Sequence, residues 1–518
     1  MIHLKINNLD LKVPEGTSVL EAAKTVDIII PSMCYLQGYG NHPSCMVCLV
    51  KDKKTGNLHP SCALKVAEGM EIITDDLDVR EARKDALELL LSDHVGDCEA
   101  PCSLACPANM NIPEMNRLIA AGDFSASLEV VKEEIALPYV LGYICPAPCE
   151  KACRRKQIDE AVSICMLKRY VGGLTPGPSP EGEGRSIAII GTGPAGLSSA
   201  YYLLQLGHKV TLFDKNEDAG GTLRYSIPEE KLPKQALNSE IEIIRSNGAE
   251  FRFNSLITAE VFEREIKGKF DAVIIATGDI TASEHLNSIF QISKIGLTIE
   301  EGTFATSESG IFACGSVVRS QKMAVRAVAQ GKAAAISADL YLKGKSLRKN
   351  EKKFNSRFDK LLLTEYQEYL KEAIPDKRLG PKGGFMEGFS MQEAVNEAKR
   401  CLHCDCRKLD TCKLRIHADE YKADRKKYSF GERKAMVKHF QHDLVVYEPE
   451  KCIKCGLCVE ITVKNNELTG LTYVGRGFDV RIDVPFNQSI REGLTKAANK
   501  CIEACPTGAL AFKVATIK

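Results

Sequence analysis

Cysteine is the residue type in this sequence that could most readily do chemistry, and most of its copies fall into tight groups. The chain has 518 residues and 21 cysteines. A disulfide-linked secreted protein of this length would spread its cysteines, whereas closely spaced thiols in a reducing compartment are typical metal ligands. The spacing therefore predicts metal ligation. The groups are Cys34, Cys45, Cys48 and Cys62; Cys98, Cys102 and Cys106; Cys145, Cys149 and Cys153; Cys401, Cys404, Cys406 and Cys412; Cys452, Cys455 and Cys458; and Cys501 with Cys505.

Charge and hydropathy exclude several classes of function. The 69 basic and 68 acidic residues give a net charge of +1, so neither nucleic acid nor an anionic membrane surface is a predicted partner. The longest apolar runs, such as Ala272–Ala276, are far shorter than the stretch of about 20 residues that crosses a bilayer, so no membrane span is predicted. Met1 leads directly into a strand-like stretch instead of a targeting segment, so the expected location is cytoplasmic.

The first group places three thiols near one loop and the fourth on a later turn. Four soft thiolates select an iron–sulfur cluster or zinc, and zinc knuckles usually pair two Cys-x2-Cys units where this segment has one. This segment resembles the N-terminal 2Fe–2S domain of the large iron–sulfur subunit of complex I and of iron-only hydrogenases. The matching motifs are Pro31-Ser-Met-Cys34-Tyr and Cys45-Met-Val-Cys48-Leu-Val. Pro43-Ser44 stands where that family usually has Gly. The resemblance implies one 2Fe–2S cluster held by Cys34, Cys45, Cys48 and Cys62.

The next two groups lie in a region whose apolar spacing predicts helices, from Val79 to about Val171. Val79–Ser92 followed by His94-x3-Cys98 fits the helix and cluster motif that follow the 2Fe–2S domain in the complex I family. After Cys98 the sequence resembles the cluster domain of the glutamate synthase small subunit and dihydropyrimidine dehydrogenase. The matching motifs are Cys102, Cys106-Pro107 and Cys145-Pro-Ala-Pro-Cys149-Glu-Lys-Ala-Cys153.

That second resemblance implies two 4Fe–4S clusters whose ligands interleave along the chain. Seven cysteines and one histidine supply two sets of four ligands. His94 could instead be a helix-end histidine without a metal, and Cys165 a buried thiol. One implied set is Cys98, Cys102 and Cys153 with His94, and the other is Cys106, Cys145, Cys149 and Cys165.

A separate pattern predicts a dinucleotide-binding fold. The strand Ser186–Ile190 runs into Gly191-Thr-Gly193-Pro-Ala-Gly196, whose glycines permit a tight turn, close approach to a pyrophosphate and helix packing. The next strand ends at Asp214, where a carboxylate accepts ribose hydroxyls. Later stretches resemble the FAD-binding segments of the glutamate synthase family, with Ser316 where that family usually has Asp. The FAD-binding candidates are Gly191, Gly193, Pro194, Ala195, Gly196, Asp214, Gly221, Arg224, Thr277, Gly278, Gly315 and Ser316.

One segment of the family pattern is missing. Two-dinucleotide flavoproteins place a second Gly-rich domain, for NAD(P)H, between their two FAD segments. Here only Asp279–Ser309 separates these segments, and it holds no second Gly-x-Gly-x-x-Gly motif. The resemblance therefore implies an FAD that does not receive hydride from NAD(P)H in the usual place. Its electrons are expected to arrive and leave through clusters or a partner.

The last groups predict two further 4Fe–4S clusters. Cys401, Cys404, Cys406 and Cys412 fall within twelve residues and suit one compact cluster, with zinc as the alternative. Cys452-x2-Cys455-x2-Cys458 begins as a bacterial ferredoxin motif but has Thr462 where a fourth cysteine would follow. The complex I subunit takes that ligand from a distant Cys-Pro-Thr-Gly, which implies Cys505 here.

Three other residues in these motifs are expected to have no ligand role. Cys501 is left over in the C-terminal group. Cys314 is expected to be a packed strand thiol, and His403 a surface residue.

The predicted fold class is multidomain α+β and α/β. A Gly- and Pro-rich stretch, 172–184, is the clearest linker, and 343–353 reads as a basic connector. The predicted domains are a 2Fe–2S ferredoxin-like β-grasp domain at 1–78, a helical domain with two 4Fe–4S clusters at 79–175, a Rossmann-like FAD domain without the NAD(P)H insertion at 185–345, a helical segment with one 4Fe–4S cluster at 346–445, and a ferredoxin-like 4Fe–4S domain at 446–518.

These features predict an oxidoreductase component with FAD, one 2Fe–2S cluster and about four 4Fe–4S clusters. The favoured function is an electron-transfer subunit of a larger cytoplasmic redox complex. Its expected partners are an NADH-oxidising flavoprotein and a formate dehydrogenase, hydrogenase or reductase subunit. The alternatives are a self-sufficient flavin oxidoreductase acting on a small substrate and a zinc-stapled scaffold. No residue is predicted to be catalytic, because no Ser/His/Asp set, carboxylate pair or open zinc site stands out.

Overall fold

A computed structural model describes residues 1–174, 184–279, 289–347, 353–358 and 360–513. Most of the predicted linker at 172–184 and part of the predicted connector at 343–353 lie outside these residues. The chain divides into two compact units. Unit 1 comprises Met1–Ala100, Lys353–Glu372 and Cys404–Lys518, and unit 2 comprises Pro101–Lys352 and Ala373–His403.

The first part of unit 1 is a five-stranded mixed sheet. Its strand order is β2-β1-β5-β3-β4, with β1 parallel to β5 and the other neighbours antiparallel. Alternation places Leu4 and Ile6 in a core against α1, whose N-terminus is fixed by a Ser18–Glu21 capping box. The elements are β1 (Ile2–Ile6), β2 (Leu9–Val13), α1 (Val19–Lys24), β3 (Leu49–Asp52), β4 (Leu58–Pro60), β5 (Met70–Ile73) and α2 (Leu77–Ser92).

Unit 2 begins with a helical stretch and continues into a parallel sheet. The helices α6 and α8 pack against each other in the helical stretch. The sheet is parallel throughout, with strand order β10-β9-β6-β7-β8, and α9 and α13 pack together beside it. The elements are α3 (Pro101–Ala105), α4 (Ile112–Ala121), α5 (Phe124–Glu134), α6 (Pro138–Ile144), α7 (Pro148–Lys151), α8 (Ile164–Gly172), β6 (Ser186–Ile190), α9 (Pro194–Gln205), β7 (Lys209–Phe213), α10 (Thr222–Tyr225), α11 (Lys234–Ser246), β8 (Glu250–Arg252), α12 (Ala259–Val261), β9 (Ala272–Ile275), β10 (Ile311–Ala313) and α13 (Ala324–Leu342).

The remaining residues add short elements to both units. β11 pairs with β14 and β12 with β13, both antiparallel, and these pairs share a core with α17 and α19 in unit 1. The elements are α14 (Glu365–Leu370), α15 (Met391–Ala398), α16 (Lys413–Glu420), β11 (Val445–Tyr447), α17 (Leu457–Lys464), β12 (Thr472–Val474), β13 (Arg481–Asp483), α18 (Ile490–Gly493), α19 (Ala498–Ala504) and β14 (Leu510–Phe512).

The stretch 354–445 differs from its predicted helical character. Its helices are α14, α15 and α16, and most of the other described residues are irregular. Pro375, Pro381 and the Gly383-Gly384 pair interrupt any helix between α14 and α15. Backbone carbonyls there accept hydrogen bonds from buried arginines of unit 2 instead, as Asp376 does from Arg400 Nε at 2.8 Å.

Candidate functional site: grouped thiols and a dinucleotide cavity

The four cysteines of the first group converge in unit 1. Their side chains are 1–2% exposed. The thiol of Cys34 is hydrogen-bonded to those of Cys45 and Cys62, and Cys62 is also bonded to Cys48. These bonds lower the pKa of Cys34, and the bond from Cys62 lowers the pKa of Cys48 to about 6. The same bonds raise the pKa values of Cys45 and Cys62. Four buried sulfurs that contact one another are the donor set that an iron–sulfur cluster takes.

The C-terminal group also converges. Cys452, Cys455, Cys458 and Cys505 all line one small cavity in unit 1, whose other walls include Tyr447, Ile482 and Leu510. The N–H of Lys454 donates to Cys452 Sγ at 3.3 Å. Burial and the neighbouring Cys505 raise the pKa of Cys452 to about 12. Four thiols around one largely apolar cavity suit the predicted 4Fe–4S cluster.

In unit 2, Cys106, Cys145, Cys149 and Cys165 lie together around a buried cation. Cys165 is hydrogen-bonded to Cys145 and Cys149, and its N–H donates to Glu150 Oε1 at 2.9 Å. Lys168 is 3% exposed. Burial opposes its charge, but the charges of all four thiolates outweigh burial and raise the pKa of Lys168. The predicted fourth thiol, Cys165, is therefore placed with its proposed partners.

The thiols of Cys98, Cys406 and Cys412 form a group that sequence reasoning did not assemble. The N–H of Cys406 donates to the carbonyl of Cys98 at 3.0 Å. Burial and the charge of Cys406 raise the pKa of Cys98 to about 11, and burial with Cys406 and Cys98 raises the pKa of Cys412 to about 12. All three belong to unit 1. The sequence-based sets had placed Cys98 apart from Cys406 and Cys412.

The structure does not bring the other predicted ligands together in one group within a single unit. Cys102, Cys153 and Cys401 belong to unit 2, and Cys404 begins the last segment of unit 1. The Cys153 sulfur accepts N–H bonds from Val162 and Arg155. His94 has a buried Nδ1 without a hydrogen-bond partner. Among the described residues, no three or more His, Cys, Asp or Glu side chains are arranged to hold a single metal ion.

Four of the short loops that carry cysteines turn through a left-handed residue that is not glycine. These residues are Met46, Ala147, His403 and Lys454, with φ of 54°, 51°, 47° and 56°. A positive φ is uncommon outside glycine and concentrates at functional sites. Successive N–H groups in such turns form concave sites that bind anions. An iron–sulfur cluster together with its thiolate ligands is such an anion. The backbone therefore marks the same loops as the thiol spacing.

The dinucleotide pattern surrounds a cavity of about 480 Å³ at the carboxyl end of the parallel sheet. This volume is in the usual range for a cofactor site. At Gly191, with φ +107°, a side chain would collide with the Ala276 carbonyl, whereas a side chain at Gly193 would project into open space. The lining residues among the FAD-binding candidates are Gly191, Gly193, Pro194, Ala195, Asp214, Gly221, Thr277, Gly278, Gly315 and Ser316.

Two candidates do not line this cavity. Gly196 lies in α9 beneath the loop, where a side chain would overlap the Gly191 carbonyl, so its role is helix packing. Arg224 donates from Nε to the Ala219 carbonyl at 2.6 Å and from Nη2 to Asn238 Oδ1 at 2.5 Å. Arg224 therefore fixes the loop that carries Gly221.

Asp214 is already well bonded within its own loop. Its Oδ2 accepts from the N–H and hydroxyl of Thr192 at 2.8 and 2.5 Å, and its Oδ1 accepts from the N–H and amide of Asn216 at 2.9 Å. These four bonds use the acceptor sites of the carboxylate. A ribose would therefore have to replace a side-chain donor. Thr192 and Asn216 both line the cavity, but Thr192 is fully buried and Asn216 is half-buried, so Asn216 is the more accessible donor.

Sequence reasoning missed a pair of glutamines beside this cavity. Gln330 Oε1 accepts from the N–H of Gly315 at 2.9 Å and from Gln321 Nε2 at 2.5 Å. Gln321 lines the cavity, and its own Oε1 is buried without a partner. An unsatisfied buried acceptor is costly, so a donor from a bound molecule fits here. Single glutamines after a strand give no recognisable sequence signal.

A Gly193→Val variant tests the cavity as a cofactor site. Its methyl groups would fill the space that the open backbone leaves, so we expect bound flavin to fall at least about tenfold. Iron content should stay unchanged. Gly380→Val is the matched control, because Gly380 has ordinary φ and open space away from the cavity. Flavin and iron analysis of the purified variants checks this result, and full flavin in Gly193→Val would contradict it.

The three residues that were expected to have no ligand role lie in different surroundings. Cys314 is fully buried at the end of β10, 3.7 Å from Ser199 Oγ, as expected for a packed thiol. Cys501 is buried in α19 with its thiol 3.8 Å from the Cys458 carbonyl. His403 is only 7% exposed, so the expected surface position is wrong. Its backbone is left-handed, with φ of 47°.

Three stretches match known protein families. Residues 1–76 match a 2Fe-2S iron-sulfur cluster binding domain, and residues 80–175 match domain II of dihydropyrimidine dehydrogenase, which carries 4Fe-4S clusters. Residues 189–246 match an NAD(P)-binding Rossmann-like domain. These matches agree with the mixed sheet, the helical region and the parallel sheet described above.

Curated relatives and a solved structure were also found. The chain is 38% identical over 207 residues to the beta subunit of an NADP(+)-dependent formate dehydrogenase of Moorella thermoacetica, covering 35% of this chain and 29% of that protein. It is 38% identical over 180 residues to the small chain of the NADPH glutamate synthase of Bacillus subtilis, covering 33% and 36%. The chain thus spans about a third of these relatives. An NAD+-reducing [NiFe]-hydrogenase structure aligns over 100% of this chain and 89% of its own at 11% identity, with a TM-score of only 0.36.

Among the described residues no helix is long and apolar enough to cross a membrane. The relatives named above are oxidoreductase subunits, and the matched domains include 2Fe–2S and 4Fe–4S types. These findings confirm the predicted class. The chain is an oxidoreductase component with iron–sulfur domains and a Rossmann-like domain of the kind that binds FAD or NAD(P).

Proposed function

We propose that this chain is an electron-transfer subunit of a multi-subunit cytoplasmic redox complex, relaying electrons between iron–sulfur clusters and FAD. The observation that carries the proposal is that three thiol groups of unit 1 share one apolar core. Cys34 and Cys45, Cys412, and Cys455 all belong to that core. An uninterrupted row of sites for electron carriers suits a relay.

Electrostatic interactions between cysteines of different groups support an order for the three sites in this row. The charge of Cys34 acts on Cys455, and the charge of Cys505 acts on Cys412. The C-terminal site thus neighbours the 2Fe–2S site on one side and the Cys412 group on the other. Cys455 and Cys505 both line the C-terminal cavity, which makes this site the middle of the row.

The proposal includes the finer assignments of the domains and cofactors. The mixed sheet of unit 1 is a β-grasp 2Fe–2S domain, and 446–518 is a ferredoxin-like 4Fe–4S domain. The cofactors are one FAD, one 2Fe–2S cluster and about four 4Fe–4S clusters. The cavity residues would hold the FAD, which supplies a carrier able to exchange both single electrons and pairs.

The chain between β9 and β10 supports electron supply by a partner. Described residues 289–310 contain no helix or strand, and their backbone bonds return them directly to β10 and the turn after it, as from Leu297 N–H to the Val317 carbonyl at 2.8 Å. The family's NAD(P)H domain would belong in this interval. The partners are an NADH-oxidising flavoprotein and a formate dehydrogenase, hydrogenase or reductase subunit.

Anaerobic mixing of the purified full chain with NADH and NADPH tests the relay. We expect iron, sulfide and flavin in the protein, no flavin bleaching by either nicotinamide, and full bleaching by dithionite as the control. Rapid bleaching of the lone chain by NADH or NADPH would instead establish a self-sufficient flavin oxidoreductase. A colourless protein with zinc and no iron would overturn both. Subunits that co-purify with the native chain identify the partners.

A further inference from the structure

We propose that Glu240 is a proton-binding site of unit 2, which takes up a proton when the cluster proposed at Cys106, Cys145, Cys149 and Cys165 is reduced. Glu240 lies on α11 and contacts the helix that leads to Cys145. This inference goes beyond electron relay, because it adds the binding of a proton at a residue that holds no cofactor. It rests on the proposed function, since it needs that cluster to be present.

The carboxyl group of Glu240 is buried and is held by two backbone donors. Glu240 is 1% exposed. Its Oε1 accepts the N–H of Tyr139 at 3.0 Å, and its Oε2 accepts the N–H of Val140 at 2.9 Å. These N–H groups belong to the first turn of α6, where a helix offers them no partner of its own. A protonated carboxyl group keeps acceptor capacity, so α6 can be held in both protonation states.

The lysine beside Glu240 compensates its charge only in part. Lys132 Nζ is 3.9 Å from Glu240 Oε1, and it donates a hydrogen bond to the Ala136 carbonyl at 2.8 Å. Lys132 is itself 6% exposed, and burial lowers its pKa. Burial raises the pKa of Glu240 to about 7, although Lys132 and the two backbone N–H groups act in the opposite direction. A carboxyl group with this pKa changes its charge near neutral pH.

Three titratable side chains on three helices interact with Glu240. They are Lys132 on α5, Lys168 on α8 and Tyr201 on α9. Tyr201 stays neutral, because burial and the charge of Glu240 raise its pKa to about 12. α6 presents its backbone N–H groups, and Arg224 on α10 donates to other partners. The charge of Glu240 is therefore balanced by two buried lysines, one of which also faces the thiols.

Lys168 and α6 link Glu240 to the cysteine group. All four thiolates act on Lys168, and the charge of Lys168 acts on Glu240. α6 ends at Cys145, whose N–H donates to the Leu141 carbonyl at 3.1 Å. Val140 and Cys145 are five residues apart, which is about 8 Å along a helix. Two charges at about this range still interact inside a protein, where an effective dielectric constant of about 20 applies.

Reduction adds one electron to the cluster, and the donor side of the relay supplies that electron. The added negative charge favours protonation of Glu240, which takes one proton from water and becomes a neutral carboxyl group. Oxidation returns the electron to the relay and the proton to water. Because linkage is reciprocal, the charge of deprotonated Glu240 must disfavour the reduced cluster. The reduction potential of this cluster should therefore fall as pH rises through the pKa of Glu240.

An EPR-monitored redox titration of the full chain at several pH values tests the coupling. Dithionite supplies the electrons, and the relevant signal is the one that Cys149→Ser lacks. Between about pH 5 and pH 9 we expect a fall equivalent to about tenfold in the reduction equilibrium, or about 59 mV for one electron. In Glu240→Gln the potential should not change with pH and should stay near the wild-type value at low pH. Glu242→Gln, an exposed change on the same helix, should keep the fall.

Two further measurements separate proton binding from a structural role of Glu240. Lys132→Met should move the fall to higher pH, because the charge of Lys132 lowers the pKa of Glu240. Just above neutral pH, the infrared difference spectrum between reduced and oxidised wild type should gain the band of a protonated carboxyl group, which Glu240→Gln should lack. If Glu240→Gln does not hold iron, the shift in Lys132→Met decides.

Two outcomes would overturn the proposal. One is a wild-type potential that does not change with pH in protein with full iron, and the other is a fall that persists in Glu240→Gln. A wild type without iron would refute the proposed function instead.

Discussion

A Cys455→Ala variant will lose about four iron atoms and, with them, electron exchange between the two ends of unit 1. Cys455 lines the C-terminal cavity and belongs to the same apolar core as Cys34 and Cys412. The cluster that it is proposed to hold is therefore the middle carrier of the row. Removing it should leave the 2Fe–2S cluster in place but isolated. Iron analysis and the EPR signals of the remaining clusters after reduction measure both effects.

Cys501→Ala is the matched control for this variant. Cys501 is a buried cysteine of the same domain, but its thiol lies near the Cys458 carbonyl and does not line the cavity. It should keep all of its iron and its electron exchange. Iron loss in Cys501→Ala with retention in Cys455→Ala would show that Cys501, and not Cys455, is a ligand of this cluster.

A Lys168→Met variant will lower the reduction potential of the cluster proposed at Cys106, Cys145, Cys149 and Cys165. Reduction adds negative charge, and Lys168 is the buried cation on which all four thiolates act. At an effective dielectric constant of about 20, a unit charge a few ångströms away contributes on the order of 3 kcal/mol, or roughly 100 mV for one electron. The expected shift is therefore about 100 mV to more negative potential.

An EPR-monitored redox titration measures this shift, with iron content checked first. Lys156→Met is the control, since Lys156 is an exposed lysine of the same unit. It should leave the potential of every cluster unchanged. An unchanged potential in Lys168→Met with full iron would contradict the placement of the cluster beside this lysine.

Local motifs predicted the sites whose ligands are close in sequence or in a recognised arrangement. The cysteines of the first group and of the C-terminal group are each brought together, and so are Cys106, Cys145, Cys149 and Cys165. Each of these groups includes a short loop with a left-handed residue, which is Met46, Ala147 or Lys454. The strand and glycine pattern of the dinucleotide site has the same local character.

The features that sequence missed depend on distant parts of the chain. Nothing near Cys98 indicates that Cys406 will bond to it, because the partner lies beyond the whole of the Rossmann-like sheet. The full occupation of Asp214 by Thr192 and Asn216 follows from how two loops meet. The irregular backbone between α14 and α15 is held by buried arginines, and local propensity cannot indicate such tertiary bonds.

The division of unit 1 into three segments has a consequence for how the protein is made. Cys98 leaves the ribosome about 300 residues before Cys406, an interval of roughly 15 to 60 s at about 5 to 20 residues per second. Throughout that time the carbonyl of Cys98 lacks the N–H of Cys406 that bonds it in the folded protein. Unit 1 can therefore be completed only after synthesis has passed Cys406, whereas Cys106, Cys145, Cys149 and Cys165 emerge together much earlier.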